Sequence, residues 1–460
     1  MSKINSEELK KDLKDLDIAM IGFPVKGSLL YLPYGCKIRE RLYNIGIKLL
    51  KDKGFEQIIL SDYIDEDSVK KMDNITKISN NYYKIENTNL LMTAGHEVSF
   101  YTFARELLKD HSKNYKFPMQ YFHFGSIYRA AKNTKYPFNM GERKSFLECY
   151  SLHKTTEEAY DAINVGVQWN REFIQEKLHL PCVEVERPLI TNKKFSQKSI
   201  HTDVITPLGM TTITGMTYFH NDIFTKALNV KRRDNKDGRN YYVYSNHFGV
   251  SEHILFTYLL NAYENHGFKL FSFIAPIQVS ILDLTDKEIR NKSQYMAIFD
   301  TLRINNIDFE IEECLPKEIH ERIKSNNRKG IPITIIIADN KVDIEIKFVS
   351  CGEEIRVENR NVLDKINEYF EKNDRYIVNK FKDMQENMIV SCFNIEEITN
   401  AIDLGKVAKI YCENEDEKIL KIEAGIRCGE ILGFQKSNEE GLDIIDGKTT
   451  NSIAFVSKRS

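Results

Sequence analysis

Two different patterns of hydrophobic and polar residues divide the chain into parts of different architecture. Up to about residue 268, apolar residues recur at helical spacing in several stretches, and short β-branched and aromatic runs fill the segment from Pro118 to Tyr244. Strands that are closed by a helix predict a mostly antiparallel sheet backed by helices. The predicted helices are 6–16, 38–50, 97–111 and 254–262, and 56–64 is predicted as a strand.

The second pattern begins near Leu270, where strand-like and helix-like runs alternate. Such alternation predicts a compact α/β domain. From about Tyr376 a charged helix is followed by short strands around Ile410 and Ile453, which predicts a small α+β unit. We therefore expect three domains, at 1–268, 269–375 and 376–460. The second domain is predicted to contain strands at 271–284, 307–313 and 331–338 and helices at 293–305 and 317–327.

The composition is that of an ordinary globular protein. Of the 460 residues, 42% are hydrophobic and 29% are charged, which is enough for a sizeable core and argues against disorder. A formal net charge of -2 argues against a protein that coats nucleic acid with its whole surface, but it permits a local basic face. No apolar run reaches membrane-spanning length. The eight cysteines lack paired short spacings and residues 1–20 carry no leader pattern, so we predict a cytoplasmic protein with reduced thiols.

The most informative block is a predicted hairpin. Two strand-like runs, 126–131 and 143–153, flank a polar loop, and a side-chain period of two places Glu148 and Tyr150 on one face of the returning strand. A buried arginine needs an anion or a carboxylate, so Arg129 either pairs with Glu148 and ties the hairpin together or faces a ligand. The block alone leaves both interpretations open.

A second candidate is His253, which lies in the first turn of the predicted helix that begins within the sequence NHFGVSEHIL. Apolar residues at helical spacing predict that one face of this helix is buried. A histidine beside apolar residues is more often structural than functional, and that interpretation stays open beside a role in a cleft.

The order of these blocks resembles a class II aminoacyl-tRNA synthetase, and most of all the prolyl-tRNA synthetases of the archaeal and eukaryotic type. The resemblance covers nearly the whole chain. It implies a class II antiparallel sheet with flanking helices, an α/β anticodon-binding-like domain and a small α+β C-terminal domain. The matching stretches are YLPYGCKIRERL for the first motif, IYRAAKNTKYPF with HKTTEEA for the second, FGVSEHIL for the third, FIAPIQVSIL and KGIPITIII for the anticodon-binding domain, and IYCENEDEKILKIEAG with DIIDGK for a zinc-binding appendage.

The resemblance also implies roles for individual residues. Those implied for catalysis are Arg129, Glu148 and His253, and Arg129 and His253 are implied for ATP binding. Arg143 is a further candidate for ATP binding, because it can supply charge from the loop. The implied amino-acid pocket is formed by Glu97 in TAGHE, Glu148, Tyr150, and Met216 and Tyr218 in ITGMTY.

Several positions depart from the family pattern. Ala131 stands where the family has a glutamate beside the adenine, Tyr136 replaces a loop arginine, and Tyr150 replaces a pocket histidine. His253 occupies the position of the arginine of the third motif, and it can compensate only if an anion keeps it protonated, whereas Lys132, Lys135 or Arg143 can supply charge from the loop.

These departures bear on the reaction that the resemblance implies. Loss of one charge-stabilising donor typically lowers a rate by on the order of 10²–10³. We therefore expect weak binding of ATP with magnesium, and a diverged protein with altered amino-acid activation, a ligand-binding role or a specialised aminoacyl transfer. A working proline–tRNA ligase and a non-catalytic dimeric RNA-binding or scaffold module remain the alternatives.

The C-terminal block departs in a similar way. The family has four cysteines for a structural zinc, whereas here only Cys412 is a thiol and Asp416, Asp443 and Asp446 stand at the other positions. One thiolate with three carboxylates is a poor donor set for structural zinc, so we expect no metal at this site. Cys428 is predicted to be an ordinary buried thiol.

The expected partners are a small amino acid or an analogue, a second copy of the chain and, less directly, tRNA. The basic loop 230–239 can meet a phosphate backbone or be a solvated run of charge, and the sequence permits both. The apolar face from Ile38 to Leu50 predicts a homodimer, although Ser61 replaces the proline of the first motif.

Overall fold

A sheet that is antiparallel along most of its length forms the centre of the first part of the chain. The computed structural model describes residues 4–23, 28–76, 81–110, 112–130, 142–192, 194–234, 236–286, 293–339, 344–350 and 353–459. The strands of the first part are β1 (Ala19–Ile21), β2 (Leu29–Tyr31), β3 (Glu56–Gln57), β4 (Tyr63–Asp65), β5 (Tyr83–Lys84), β6 (Leu90–Met92), β7 (Met119–Tyr128), β8 (Glu142–His153), β9 (Cys182–Glu186), β10 (Lys198–Thr206), β11 (Met210–Asn221), β12 (Lys231–Arg233), β13 (Asn240–Tyr242), β14 (Tyr244–Val250), β15 (Tyr263–Glu264) and β16 (Gly267–Phe268). Its helices are α1 (Ser6–Asp15), α2 (Pro33–Asp52), α3 (Glu66–Thr76), α4 (Glu97–Leu108), α5 (Thr156–Asp161), α6 (Ile163–Asn170), α7 (Leu189–Asn192), α8 (Ile223–Ala227) and α9 (His253–Ala262), and a π-helical stretch, Arg171–Lys177, continues α6.

Six strands lie side by side in the order β9–β10–β11–β14–β8–β7, and each neighbouring pair is antiparallel. This confirms the predicted antiparallel sheet. Helix α6 covers one face, where Trp169 lies 5.5 Å from Phe248 between ring centroids. Because neighbouring residues of a strand point to opposite faces, His247 points away from α6.

The predicted strand 56–64 is two short strands in the structure. Glu56 and Gln57 pair with β7 at the edge of the sheet, the amide of Ile58 also donates to the carbonyl oxygen of Phe122, and the chain then leaves the edge before β4 begins. Ile59 is 86% exposed and lies between the two short strands, so the run is not the single strand that was predicted. The prediction was wrong here because an apolar run at a sheet edge need not continue the pairing.

Helix α2 begins at Pro33, which suits the first helical position because proline has no amide hydrogen to leave unpaired. Ile38, Leu42 and Leu50 are fully buried and pack in the same hydrophobic core as α9. The apolar face that predicted a dimer is therefore covered within one chain, and it no longer argues for a second copy.

The homodimer stays a prediction that rests on the resemblance. We expect a mass of twice 53.7 kDa in solution at micromolar concentration. Light scattering coupled to size-exclusion chromatography measures this directly, and a constant mass of one chain across a dilution series would contradict it.

The second part is an α/β domain, as the alternating pattern predicted. Strands β17 (Val279–Asp283), β18 (Phe309–Glu313) and β19 (Ile333–Asp339) are parallel, and β20 (Ile344–Ser350) and β21 (Glu353–Val357) continue the sheet in antiparallel fashion. The helices are α10 (Ser293–Ile304), α11 (Ile319–Lys329) and α12 (Val362–Met388), with short 3-10 turns at Pro316–Glu318 and Asn359–Asn361.

The C-terminal part adds strands to the large sheet instead of forming a separate one. Phe434 pairs with Glu186 of β9, which brings the sheet to eleven strands. Helix α12 crosses the proposed boundary at 375/376 without interruption. Within the described residues, no helix is both long and apolar enough to cross a membrane. The elements are β22 (Ile389–Ser391), β23 (Val407–Tyr411), β24 (Glu430–Leu442), β25 (Thr449–Ser457), α13 (Ile395–Asp403) and α14 (Asp416–Gly425).

Candidate active site

A cavity of about 370 Å³ opens on the face of the large sheet that α6 leaves uncovered. The strand register places its residues: Tyr150 lies opposite His247, and His247 lies opposite Tyr218 on the next strand. Glu148 is two residues from Tyr150 and therefore shares the same face. Six of the residues predicted from the sequence line the cavity, namely Glu97, Arg129, Arg143, Met216, Tyr218 and His253.

One end of the cavity is basic. Arg129 donates a hydrogen bond from Nε to the carbonyl oxygen of Ala94 at 2.8 Å. Burial and the charge of Arg129 lower the pKa of Arg143 to about 9, which leaves the Arg143 guanidinium charged at neutral pH. Among the described residues, Nε of Arg143 has no hydrogen-bond partner. Two adjacent guanidinium groups favour an anionic ligand, because an anion relieves their repulsion.

His253 lies beside these arginines but contributes no charge of its own. Its Nδ1 donates to the carbonyl oxygen of Ile213 at 3.0 Å, since a carbonyl can only accept. Burial, and then the charge of Arg143, lowers the pKa of His253 to about 3. The ligand-free imidazole is therefore neutral at physiological pH, which differs from the protonated state that compensation would need.

Two carboxylates lie near His247: Glu97 lines the cavity, and Glu148, which was predicted for the site, does not line it. Glu148 is fully buried and accepts hydrogen bonds from Nδ1 of His96 at 2.5 Å and from the hydroxyl of Tyr150 at 3.2 Å. Burial alone raises the pKa of Glu148, but the adjacent His96 outweighs it and holds the pKa below its usual range. In the same pair the pKa of His96 is raised, because the attraction of Glu148 exceeds the effect of burial. Glu97 begins α4, and its side chain is 25% exposed to the cavity.

The interpretation of Arg129 and Glu148 as an ion pair is wrong. Arg129 bonds to a backbone carbonyl, and His96 is the hydrogen-bond partner of Glu148. Tyr150 was expected to line the amino-acid pocket, but it lies behind His247, with the two rings stacked 4.6 Å apart. Ala131, Tyr136, Lys132 and Lys135, on the tip of the predicted hairpin, lie outside the described residues.

Sequence reasoning missed several residues of the cavity, and most of them are aromatic or imidazole side chains. His220 and His247 line it, and Arg459 reaches it from the end of the chain, where it also pairs with Asp203 at 3.1 Å. A period of two along β14 and β11 predicts which residues share a face within each strand. It does not predict which residues of the two strands lie side by side, so the histidine cluster was not foreseen.

A second candidate site, in the C-terminal part, is centred on a lysine. The ammonium of Lys418 lies 2.8 Å from Asp443 and 3.0 Å from Asp446, at two positions where the family has zinc ligands. Burial, followed by the charge of Asp443, raises the pKa of the Cys412 thiol to about 12, so it is not a thiolate at neutral pH. Asp416 is exposed on α14. These residues do not fit a zinc ion, because a cation of the chain already lies between the carboxylates. Cys428 is exposed, so the prediction of a buried thiol was wrong.

The lysine cluster predicts a dependence of stability on pH. Hydrogen bonds from the amide of Lys448 and from Lys418 lower the pKa of Asp446 to about 2. Because this folded-state pKa lies below the ordinary value of about 3.9, the cluster stabilises the fold above pH 4 and the contribution is lost as pH falls toward 2. Hydrogen exchange of β24, measured as pH is lowered, should show this loss of stability. In a Lys418→Met variant the stability of β24 should fall less steeply with decreasing pH.

Part of the predicted basic loop 230–239 is a strand, because Lys231–Arg233 form β12 and pair with β13. Arg232 pairs with Asp234 at 2.8 Å, and the ammonium of Lys231 lies 4.7 Å from the ring centroid of Tyr242. Part of the positive charge is therefore engaged within the hairpin. Contact with RNA stays a prediction.

Comparisons with known proteins agree with this architecture. No protein-family model matches the chain. It is similar to the proline–tRNA ligase of Sulfurisphaera tokodaii, with 26% identity over 441 residues, 92% of this chain and 86% of that protein. The corresponding ligase of Methanococcoides burtonii is 23% identical over 448 residues, 93% of this chain and 90% of that protein. A solved structure of Giardia lamblia prolyl-tRNA synthetase in complex with prolyl-adenylate superposes with a TM-score of 0.88 at 17% identity, covering 99% and 98% of the two chains. The predicted class II architecture is confirmed.

Proposed function

Because the chain is a class II prolyl-tRNA-synthetase-like protein along nearly its whole length, we propose that its cavity binds ATP and a small amino acid and supports weakened amino-acid activation. The observation that carries this proposal is that both guanidinium and carboxylate groups line the cavity. Arg129, Arg143 and Glu97 line the cavity, and the buried Glu148 lies beside Glu97 and His247. A zwitterionic amino acid beside a nucleotide phosphate needs this arrangement.

The residues of the chain have distinct tasks in such a reaction. A carboxylate oxygen of the amino acid attacks the α-phosphorus of ATP, an aminoacyl-adenylate forms, and pyrophosphate leaves. Arg129 and Arg143 stabilise the negative charge that develops on the phosphate oxygens, and Glu97 orients the amino group. Magnesium arrives with the nucleotide as part of the substrate. Transfer of the aminoacyl group to tRNA in the cytoplasm belongs to the same proposal.

The weakening follows from His253. A neutral imidazole that already donates to a carbonyl cannot replace a bidentate, permanently charged arginine. Arg143 compensates in part, because its guanidinium lines the same end of the cavity. We therefore expect slow activation and do not expect complete loss.

The test is ATP–pyrophosphate exchange with each of the twenty standard amino acids, together with ATP binding by calorimetry. Slow exchange that depends on one or a few amino acids is the expected result. Exchange with proline at the rate of an ordinary ligase would favour the working-enzyme alternative. Absence of both exchange and ATP binding would overturn the proposal and favour a non-catalytic module.

Substituting His253→Arg is expected to strengthen ATP binding roughly 10- to 100-fold. The reason is that each charged hydrogen bond to a phosphate contributes about 1.5–3 kcal/mol. Without a phosphate the third guanidinium would instead stand beside Arg129 and Arg143 and lower the melting temperature.

ATP affinity and melting temperature should be measured together for this variant. The control is His320→Arg, a substitution on the exposed face of α11. Unchanged ATP affinity with a lower melting temperature in His253→Arg would exclude a phosphate at this end of the cavity.

A further inference from the structure

His247 lines the cavity beside Glu97 and Glu148, and its ring nitrogens have no hydrogen-bond partner among the described residues. The side chain is 2% exposed. Nδ1 lies 3.9 Å from a carboxylate oxygen of Glu97, and Nε2 lies 3.7 Å from one of Glu148. A buried imidazole with no partner is costly, so the arrangement indicates that a ligand completes it.

The three side chains converge on one point. One ligand atom from each of Glu97, Glu148 and His247 lies within 4.8 Å of the other two. Transition-metal ions bind carboxylate oxygen and imidazole nitrogen at about 2.0–2.2 Å, so a small inward shift brings all three into range. Glu97 can make this shift, because its side chain is partly exposed to the cavity.

The surroundings of these residues match those of a metal centre. His96 holds Glu148 at 2.5 Å, the hydroxyl of Tyr150 donates to the same carboxylate at 3.2 Å, and the ring of Tyr150 stacks on His247. Such outer contacts fix the orientation of metal ligands. Glu148 and His247 also lie on paired strands, which keeps their separation constant.

We propose that Glu97, Glu148 and His247 bind a divalent transition-metal ion, with zinc as the best fit, and leave a coordination position open to the cavity. Two oxygens and one imidazole nitrogen suit zinc better than magnesium or calcium, which prefer oxygen ligands only. Three protein ligands with one open position are typical of sites where a small molecule binds the metal. Resting on the proposed function, the amino group of the amino acid gives its proton to solvent water and then fills that position, so Glu97 orients it through the metal.

The experiment uses the full chain, freed of metal with a chelator and titrated with zinc chloride in the absence of ATP. One zinc ion per chain is the expected result. His247→Gln and Glu97→Gln should each weaken binding by more than about a hundredfold, beyond the usual cost of losing an outer-shell contact. His320→Gln is the matched control, since it removes an exposed imidazole outside the cavity.

Cobalt substitution identifies the ligands independently. Cobalt at this site should show visible d–d absorption without a thiolate charge-transfer band, whereas binding at the exposed thiols of Cys36 or Cys428 would produce that band. No saturable zinc site, or equal affinity in the wild type and both cluster variants, would overturn the proposal. A pocket that binds an ammonium group but no metal ion would show no saturable zinc site. Zinc binding without exchange activity would instead contradict only the proposed function.

Discussion

Replacing Arg129 with alanine is expected to abolish measurable ATP binding and to lower amino-acid-dependent exchange by on the order of 10²–10³. Arg129 is the arginine retained from the second motif, and its Nε is already engaged with Ala94. This bond restrains the guanidinium of Arg129, which lines the cavity. Arg143 remains in the variant, but its Nε is unpartnered among the described residues, so its orientation is less constrained.

Calorimetry with ATP and the exchange assay measure this effect. Arg171→Ala is the matched control, because Arg171 pairs with Glu184 and its side chain is 47% exposed. Arg129→Lys separates charge from geometry: it keeps the charge but loses the planar fork, and we expect intermediate affinity. Unchanged ATP affinity in Arg129→Ala would remove this end of the cavity from the proposed site.

The second large effect is expected in the C-terminal part. Lys418→Met should lower the free energy of unfolding of this part by about 3 kcal/mol, because it leaves the carboxylate of Asp443 buried without its cation. The side chains of Lys418 and Asp443 are 9% and 0% exposed. Asp443 keeps bonds from the amides of Glu413 and Ile445, which limits the loss.

Hydrogen exchange of β24 and β25 reports on this part separately from the core. Lys421→Met is the matched control, since Lys421 lies on the same helix, is 57% exposed and pairs with an exposed glutamate. The double variant Lys418→Met with Asp443→Asn should recover stability, because it removes the uncompensated charge. Equal protection in Lys418→Met and Lys421→Met would show that the cluster does not stabilise the fold.

The elements that could be predicted from the sequence are those in which each residue's environment depends on residues nearby in the chain. The apolar spacing of α2 and α9 and the alternation of β17 to β19 with their helices survive in the structure, because each element buries its own apolar face. The run 56–64 failed because pairing at a sheet edge depends on the neighbouring strand.

The candidate site was predictable only where a motif fixes residue identity. Spacing within the second and third motifs indicated Arg129 and His253, and both line the cavity. The bonding partners were not predictable: His96 is 52 residues from Glu148. Their contact depends on how α4 packs against the sheet, and a single sequence carries no periodic signal for such a pair.

The ammonium of Lys418 has a consequence for how the C-terminal part is assembled. A free ion must be captured from solution, so its arrival depends on its concentration outside the protein. Lys418 is 25 residues from Asp443 along the chain, and a tether of this length keeps the cation near its carboxylates from the moment both are synthesised. The ion pair therefore forms within the chain itself, and its formation does not require a supply of metal ions.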